Sequence, residues 1–442
     1  MSKLEKNMIP SKKKFITLPV YITLPIVSWA LYDFANTIFS SNISTIFFPF
    51  YLEETVGNSE AMKQLASTFI SYANALASIF LVIFSPLYGT MIDRTKRKKK
   101  PLVYFALGSI ICTFGMGVAA YQKQWDHATT LPLSLILVVI LFVLAKFFFQ
   151  SSLVFYDSMM PDLGSKEQMP LISGFGVAIG YFGTLVGLSV YFFVGDHDFH
   201  RAFIPTAILY LLFSLPIIFW VKEPPQHVDV KEKQSFFSGY KEIYQTFQEM
   251  RAFRSIFLFM ITYFFINDAI ATAIAMMAVY AKAVIGFTTS GFILLYLIST
   301  VASIIGAFVF GYVVKKFTSR RAVTMVGVIL VVALLFAVTA NGVPMFWVAG
   351  SLFGVSLGSM WVATRTFIIE LSPENKRGQF FGLFAFSGKL SAIVGPLLYG
   401  TITWALKDYG ALASRIALAS LLLLAGIGLW VHLKTRYETV RK

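Results

Sequence analysis

Charge is what this chain has least of. Only 13% of its 442 residues are Asp, Glu, Lys or Arg, about half the share in soluble domains. Against that, 57% are hydrophobic and the mean hydropathy is +0.71. A soluble globule so composed would lack the polar surface to stay dispersed, which points to a bilayer. Cysteine is nearly absent: Cys112 stands alone, so an intrachain disulfide and a cysteine metal site are excluded. The five histidines (His127, His197, His200, His227 and His432) lie near the ends of apolar runs or in loops, not at metal-ligand spacing. A long polar block is missing too. The best candidate, residues 222–254, is too short to build a core. Residues 382–389, GLFAFSGK, mimic a phosphate-binding loop but put five residues between the glycines and Leu390 after the lysine, where the motif needs four and then Ser or Thr. Enzyme activity, a cofactor and a metal are therefore not expected.

What is there is a series of apolar runs long enough to cross the hydrocarbon core, for which about 20 residues suffice. Twelve are expected, near 24–51, 64–91, 102–121, 131–158, 171–194, 202–221, 255–283, 288–314, 322–340, 345–371, 379–406 and 411–433. The basic start, MSKLEKNMIPSKKK, imitates a signal peptide, but the run after it is too long and contains Asp33, so it reads as a retained first span. The net charge of +15 would suit nucleic acid, yet the basic residues cluster between the runs. With both termini placed in the cytoplasm, inside segments hold 28 of the 37 lysines and arginines and outside segments 6. That bias predicts both termini inside, a multi-pass protein of the cell (inner) membrane if bacterial, with lipid rather than nucleic acid around it. The expected division is a bundle over 1–222, a cytoplasmic linker over 223–254, and a second bundle over 255–442. Within the linker Phe236, Tyr240, Ile243, Tyr244, Phe247 and Met250 recur at helical spacing, predicting an amphipathic helix at the interface.

The chain repeats itself. GTMIDRTKRKK from Gly89 matches GYVVKKFTSRR from Gly311; SGFGVAIG from Ser173 matches SGKLSAIVG from Ser387; DFANT from Asp33 matches DAIAT from Asp268. Each match lies six spans from its partner, and such repeats place a substrate site near midplane between halves that move against each other. Gly89-x-x-x-Asp93-Arg94-x-x-Arg97-Lys98 resembles the loop signature of the major facilitator superfamily, with Lys96 where that family usually has glycine. WALYDFANT, FYDSMMPDL, ISGFGVAIGYFGT, YFFINDAIAT and FFGLFAFSGKLSAIVGPLLYG together resemble its vacuolar amino-acid effluxer-like branch. GSMWVATRT in span 10 keeps the arginine but alters the usual lead before it.

The resemblance implies an all-α fold of twelve transmembrane helices in two six-helix pseudo-repeat bundles, with spans 1, 4, 7 and 10 lining a central cavity. The buried ionisable residues concentrate in those four: Asp33, Lys146 with Asp157, Asp268, and Arg365. Lipid-facing placement would be costly for each. Asn36, Gln150, Asn267 and Trp361 share helix faces or adjoin them, so Asp33, Asn36, Lys146, Gln150, Asn267, Asp268, Trp361 and Arg365 form the expected substrate or coupling set. A zwitterion wants such a mixture of cation, anion and flat surface. Three uses of the acids stay open: pairing with each other's cations (Asp33 with Arg365, or Asp268 with Lys146), a direct substrate or proton role, or polar contact in helix packing. Proton coupling is a hypothesis motivated by the repeated acids. Gly89, Asp93, Arg94 and Arg97 are the expected cytoplasmic gate, the aspartate meeting a helix N-terminus or an arginine. Gly176, Gly180, Gly183 and Gly187 in span 5, and Gly388, Gly395 and Gly400 in span 11, are expected to serve helix packing. The function expected is a monomeric secondary transporter of a small, amino-acid-like metabolite. A lipid, amphiphile or drug transporter on the same fold is the first alternative, and a non-transporting scaffold or receptor the second.

Overall fold

In hydrocarbon an open segment of chain can satisfy its own backbone groups only as a helix. The computed structural model is helical over most of each of these apolar runs. It describes residues 23–437, excepting 57–59, 122–132, 195–197, 224–238, 249–252, 288, 407–408 and 410. Among the described residues, eleven helices are long and apolar enough to cross a membrane. The twelfth, span 1, is a continuous helical run in three segments, Leu24–Phe39, Ser40–Phe47 and Phe48–Val56, of which the middle one is π-helical. Spans 2 to 6 are Glu60–Thr95, Lys99–Tyr121, Leu133–Met159, Met169–Leu188 and Phe203–Trp220. Spans 7 to 12 are Arg254–Tyr280, Thr289–Phe317, Ser319–Thr339, Val343–Leu371, Arg377–Ala405 and Ala411–Lys434. Proline sits in the first turn of spans 1, 5 and 10, where its missing N–H costs nothing.

The duplication read from short motifs reappears in the packing. Span 1 packs on spans 5 and 6, and span 7 on spans 11 and 12. Spans 2·4, 3·4 and 3·6 pack together, as do 8·10, 9·10 and 9·12. Span 7, like span 1, passes into a π-helical segment, Ala281–Ile285. Such segments interrupt the regular ladder and often accompany functional sites.

Small residues set the closest approaches. A methyl group on Gly176 would strike the Trp29 ring, and one on Gly183 the main chain of Phe34. Gly354 and Gly358 of span 10 lie on the backbone of Ser299 and Ser303 in span 8, whose hydroxyls donate to the carbonyls of Gly350 and Gly354, each at 2.8 Å. Without a hydrophobic force between helices in lipid, such contacts and cross-helix hydrogen bonds hold spans together. Gly400 behaves differently: nothing lies within 4 Å of where its Cβ would be.

The halves meet at two equivalent crossings. Span 2 lies on span 11 through Gly89, Gly378 and Gly382, and span 8 lies on span 5 through Gly311 and Gly174. Both crossings sit next to the basic turns. Of the 223–254 segment, Gly239–Gln248 is a helix that rests on span 2. Gly239 abuts Leu87 and Thr90, and the Tyr240 hydroxyl donates to the Ile83 carbonyl at 2.7 Å. Tyr240 and Tyr244 are exposed, while Phe236 and Met250 and the side chains of Ile243 and Phe247 lie outside what is described.

Candidate functional site

Arg365 comes from span 10 into the contact between the halves and is 5% exposed. Its Nε is 2.9 Å from Oδ1 of Asp157 in span 4, and its Nη1 is 4.0 Å from Oδ2 of Asp33 in span 1. The nearer contact is an ion pair without hydrogen-bond alignment: neither Nε nor Asp157 Oδ1 has a hydrogen-bond partner among the described residues, nor does Nη1. The guanidinium carbon lies 5.5 Å from the centre of the Tyr156 ring and 5.4 Å from that of Trp361, near enough for cation–π attraction. Trp361 is four residues earlier on the same helix, so helical geometry alone brings it beneath the guanidinium. Tyr156 is fixed from span 1, where Trp29 stacks on it at 4.5 Å and donates from Nε1 to its carbonyl at 3.1 Å. Asp33 gains its place because span 5 carries Gly180 opposite it; a Cβ there would lie 2.8 Å from Oδ2.

One guanidinium between two carboxylates carries a surplus negative charge, while its unpaired N–H groups remain available to an acceptor. Lys389 of span 11 lies within Coulombic reach of Asp157 and of Lys146, which lies over the Phe142 ring at 5.9 Å. The centre thus draws charged groups from spans 1, 4, 10 and 11.

The other expected residues are placed elsewhere. Asn36 is buried and accepts from the Tyr210 hydroxyl of span 6 at 3.1 Å. Gln150 is 4% exposed, with Oε1 unpartnered among the described residues. Asn267 and Asp268 turn to span 11 rather than to Arg365 or Lys146. Asn267 donates to the Gly388 carbonyl at 3.1 Å and to Ser391 Oγ at 2.7 Å. Asp268 accepts from the Gly395 N–H at 2.8 Å. Asp157, absent from the expected set, is the closest acid to Arg365. Its signal was available as a second ionisable residue in span 4, about three turns from Lys146 on the same helix face.

Two of the expected gate residues, Gly89 and Asp93, form a clasp between spans 2 and 11. Both carboxylate oxygens of Asp93 accept backbone N–H groups at the start of span 11, Oδ1 from Gly378 and Oδ2 from Gln379, each at 2.7 Å. A carboxylate on a helix N-terminus satisfies donors that have no intrahelical partner and complements the dipole. Gly89 permits the approach, since its Cβ would fall 2.5 Å from the Gly378 carbonyl oxygen. Arg94 is half-buried and Arg97 exposed. Lys96 has φ of +54°, a left-handed conformation that costs a residue with a Cβ roughly 1–2 kcal/mol. At the equivalent crossing the position matching Asp93 is Lys315, which is exposed, so the second crossing has no such clasp.

Two six-helix bundles related by a repeat, with charged groups buried where they meet, define the major facilitator class of membrane transporter. Solved structures of that class share the fold. The proton:xylose symporter XylE superimposes with a TM-score of 0.65 at 16% identity, over 92% of this chain and 94% of that one. A bacterial homologue of the iron transporter ferroportin gives 0.67 at 14%, over 93% and 98%. More particularly, residues 25–438 match the model of the vacuole effluxer Atg22-like family, and the chain belongs to it. Among its relatives are the uncharacterized MFS-type transporter YxiO of Bacillus subtilis (25% identical over 383 residues, 84% of this chain and 86% of YxiO) and autophagy-related protein 22 of Kluyveromyces lactis (23% over 377 residues, 76% and 74%).

Proposed function

We propose that this transporter moves a small zwitterionic metabolite, amino-acid-like in charge, by alternating access. Its binding centre in this reading is Arg365 between Asp33 and Asp157. The carrying observation is that this triad joins spans of both halves and is flanked by two aromatic rings. A carboxylate on the ligand would take the unpaired N–H groups of Arg365, its ammonium would take an acid thereby released, and Trp361 and Tyr156 would offer flat surfaces to its side chain. Ligand binding would then rearrange a contact that spans the moving interface, which is what couples occupancy to the cycle. Lys146 and Lys389 border the same region. Asn36, Asn267 and Asp268 act through helix packing or coupling.

The positive-inside bias supports placing the basic turns and both termini in the cytoplasm. The clasp and both glycine crossings are then closed at the cytoplasmic ends, which corresponds to the outward-facing stage of the cycle. The test is counterflow of labelled amino acids into proteoliposomes preloaded with the same compound. Uptake that requires the preload and falls at least tenfold in Arg365→Lys supports the reading, because lysine lacks the planar fork. Normal exchange in Arg365→Lys, or none of the twenty amino acids driving exchange in the unaltered protein, would overturn it.

A further inference from the structure

The repeat puts an acid at the same place in each half, Asp33 on span 1 facing Gly180 and Asp268 on span 7 facing Gly395, each followed four residues later by threonine. Their surroundings are not the same. Asp33 has the Arg365 guanidinium at 4.0 Å. Asp268 is 0% exposed and has one partner, the Gly395 N–H on Oδ1. Its Oδ2 has none among the described residues, and neither does the fully buried hydroxyl of Thr272 one turn on.

The charged groups facing this region from the helices packed against span 7 have other partners, and the buried Tyr399 hydroxyl has no hydrogen-bond partner among the described residues. On span 11, Lys389 faces Asp157 and Lys146, and Tyr399 lies by Tyr280 and Ser414. On span 12, Arg415 donates to the Ala340 carbonyl at 2.7 Å, and His432 sits between the Tyr437 hydroxyl at 2.9 Å and the Arg320 carbonyl at 3.0 Å. On span 10, Arg365 lies between its two acids, and Glu370 accepts from Ser319 at 2.6 Å.

A lone carboxylate without a counter-charge is so costly in such a place that the acid takes up a proton instead. On the Oδ1 side a larger cation has no room. Gly395 packs so closely that a single added methyl would lie 2.5 Å from Asp268 Oδ1 and strike Thr272. We propose that Asp268 is the proton-binding group of this carrier, neutral while spans 7 and 11 are packed as seen here and ionised when they part, whereas Asp33 stays charged against Arg365. The two acids would then divide the labour, one serving the coupling ion and one the substrate centre. This rests on the transport reading above.

The test needs no substrate. Infrared spectra of the purified full-length protein at neutral pH report the C=O stretch of protonated carboxyls. Asp268→Asn keeps the shape and the acceptor for the Gly395 N–H, and the difference from wild type should show a protonated carboxyl lost. Asp33→Asn should show none lost. A band unchanged in Asp268→Asn, or lost with Asp33→Asn instead, would overturn the proposal. Should Asp268→Asn fail to fold, Asp268→Ser, smaller and neutral, replaces it in the same difference spectrum, and the same two outcomes support or overturn the assignment. Counterflow that fails while the band persists would strike the transport reading alone.

Discussion

At the residue scale, the centre is governed by how one cation is shared. Asp157 lies 2.9 Å from Arg365 and Asp33 4.0 Å, and both acids and the arginine are largely buried. Removing one member of a buried ionic set leaves a charge without compensation, at a cost of about 3–5 kcal/mol where a pair is broken outright. Because the second acid remains, the penalty for either single Asn substitution should be smaller, on the order of 1–3 kcal/mol, and larger for the nearer acid. Asp157→Asn is therefore expected to lower the thermal unfolding midpoint more than Asp33→Asn. Scanning calorimetry in detergent checks the order, and the reverse order would show that the pair seen here is not the one that stabilises the protein. Asp157 was within reach of sequence reasoning as a buried charge in span 4. That it outranks Lys146 as a neighbour of Arg365 was not, because helical periodicity gives the face of one helix and nothing about the azimuth of the next.

At the element scale, glycine has meaning only through what lies opposite. Gly89 and Gly400 read alike in sequence as small residues in an apolar helix. One lies against the backbone of Gly378 and Gln379, while nothing is near the other. Gly89→Ala should cost about 1–3 kcal/mol, since backbone cannot step aside as a side chain can. Gly400→Ala should be neutral or stabilise by up to about 0.5–1 kcal/mol through the lower chain entropy of alanine. Thermal unfolding of the two variants side by side would show it, and equal effects would contradict the close crossing of spans 2 and 11. The span boundaries were legible to within a few residues because hydrophobic length is a local property. The π-helical segments of spans 1 and 7 were not, since SSNISTIF carries no local sign distinguishing five-residue from four-residue hydrogen bonding. Only span 1 shows what holds its π segment: Asn42 donates to the Gly187 carbonyl at 2.8 Å and to Thr206 at 3.1 Å.

At the scale of the whole molecule, the Asp93 clasp is a strong polar tie between the ends of spans 2 and 11. Hydrogen bonds to a charged group contribute about 1.5–3 kcal/mol each. Asp93→Asn keeps one acceptor and turns an amide N–H toward a backbone N–H, so the closed arrangement should lose about 1.4 kcal/mol or more, a tenfold shift toward separation. Spin labels at Arg97→Cys and Glu374→Cys, in a background where the buried Cys112 is replaced by alanine, would report it as a longer distance population. An unchanged distribution would mean the glycine crossings alone hold this end. The second crossing, with Lys315 in place of an acid, should respond little to Lys315→Gln. The two halves are thus repeats in packing but not in chemistry.

Composition and apolar run length by themselves determined that this chain is a membrane protein of twelve helical spans, because lipid leaves the backbone no other open-chain option. Repeated short motifs determined that its halves are related, and the signature at the end of span 2 left Asp93 either a helix N-terminus or an arginine as its partner. Only the tertiary structure decided which buried charges meet. It set Arg365 on Asp157 and Asp33, and it turned Asp268 away to the Gly395 N–H. The reason is that Coulombic and hydrogen-bond partners are fixed by how helices rotate and approach, and those depend on contacts between residues hundreds of positions apart.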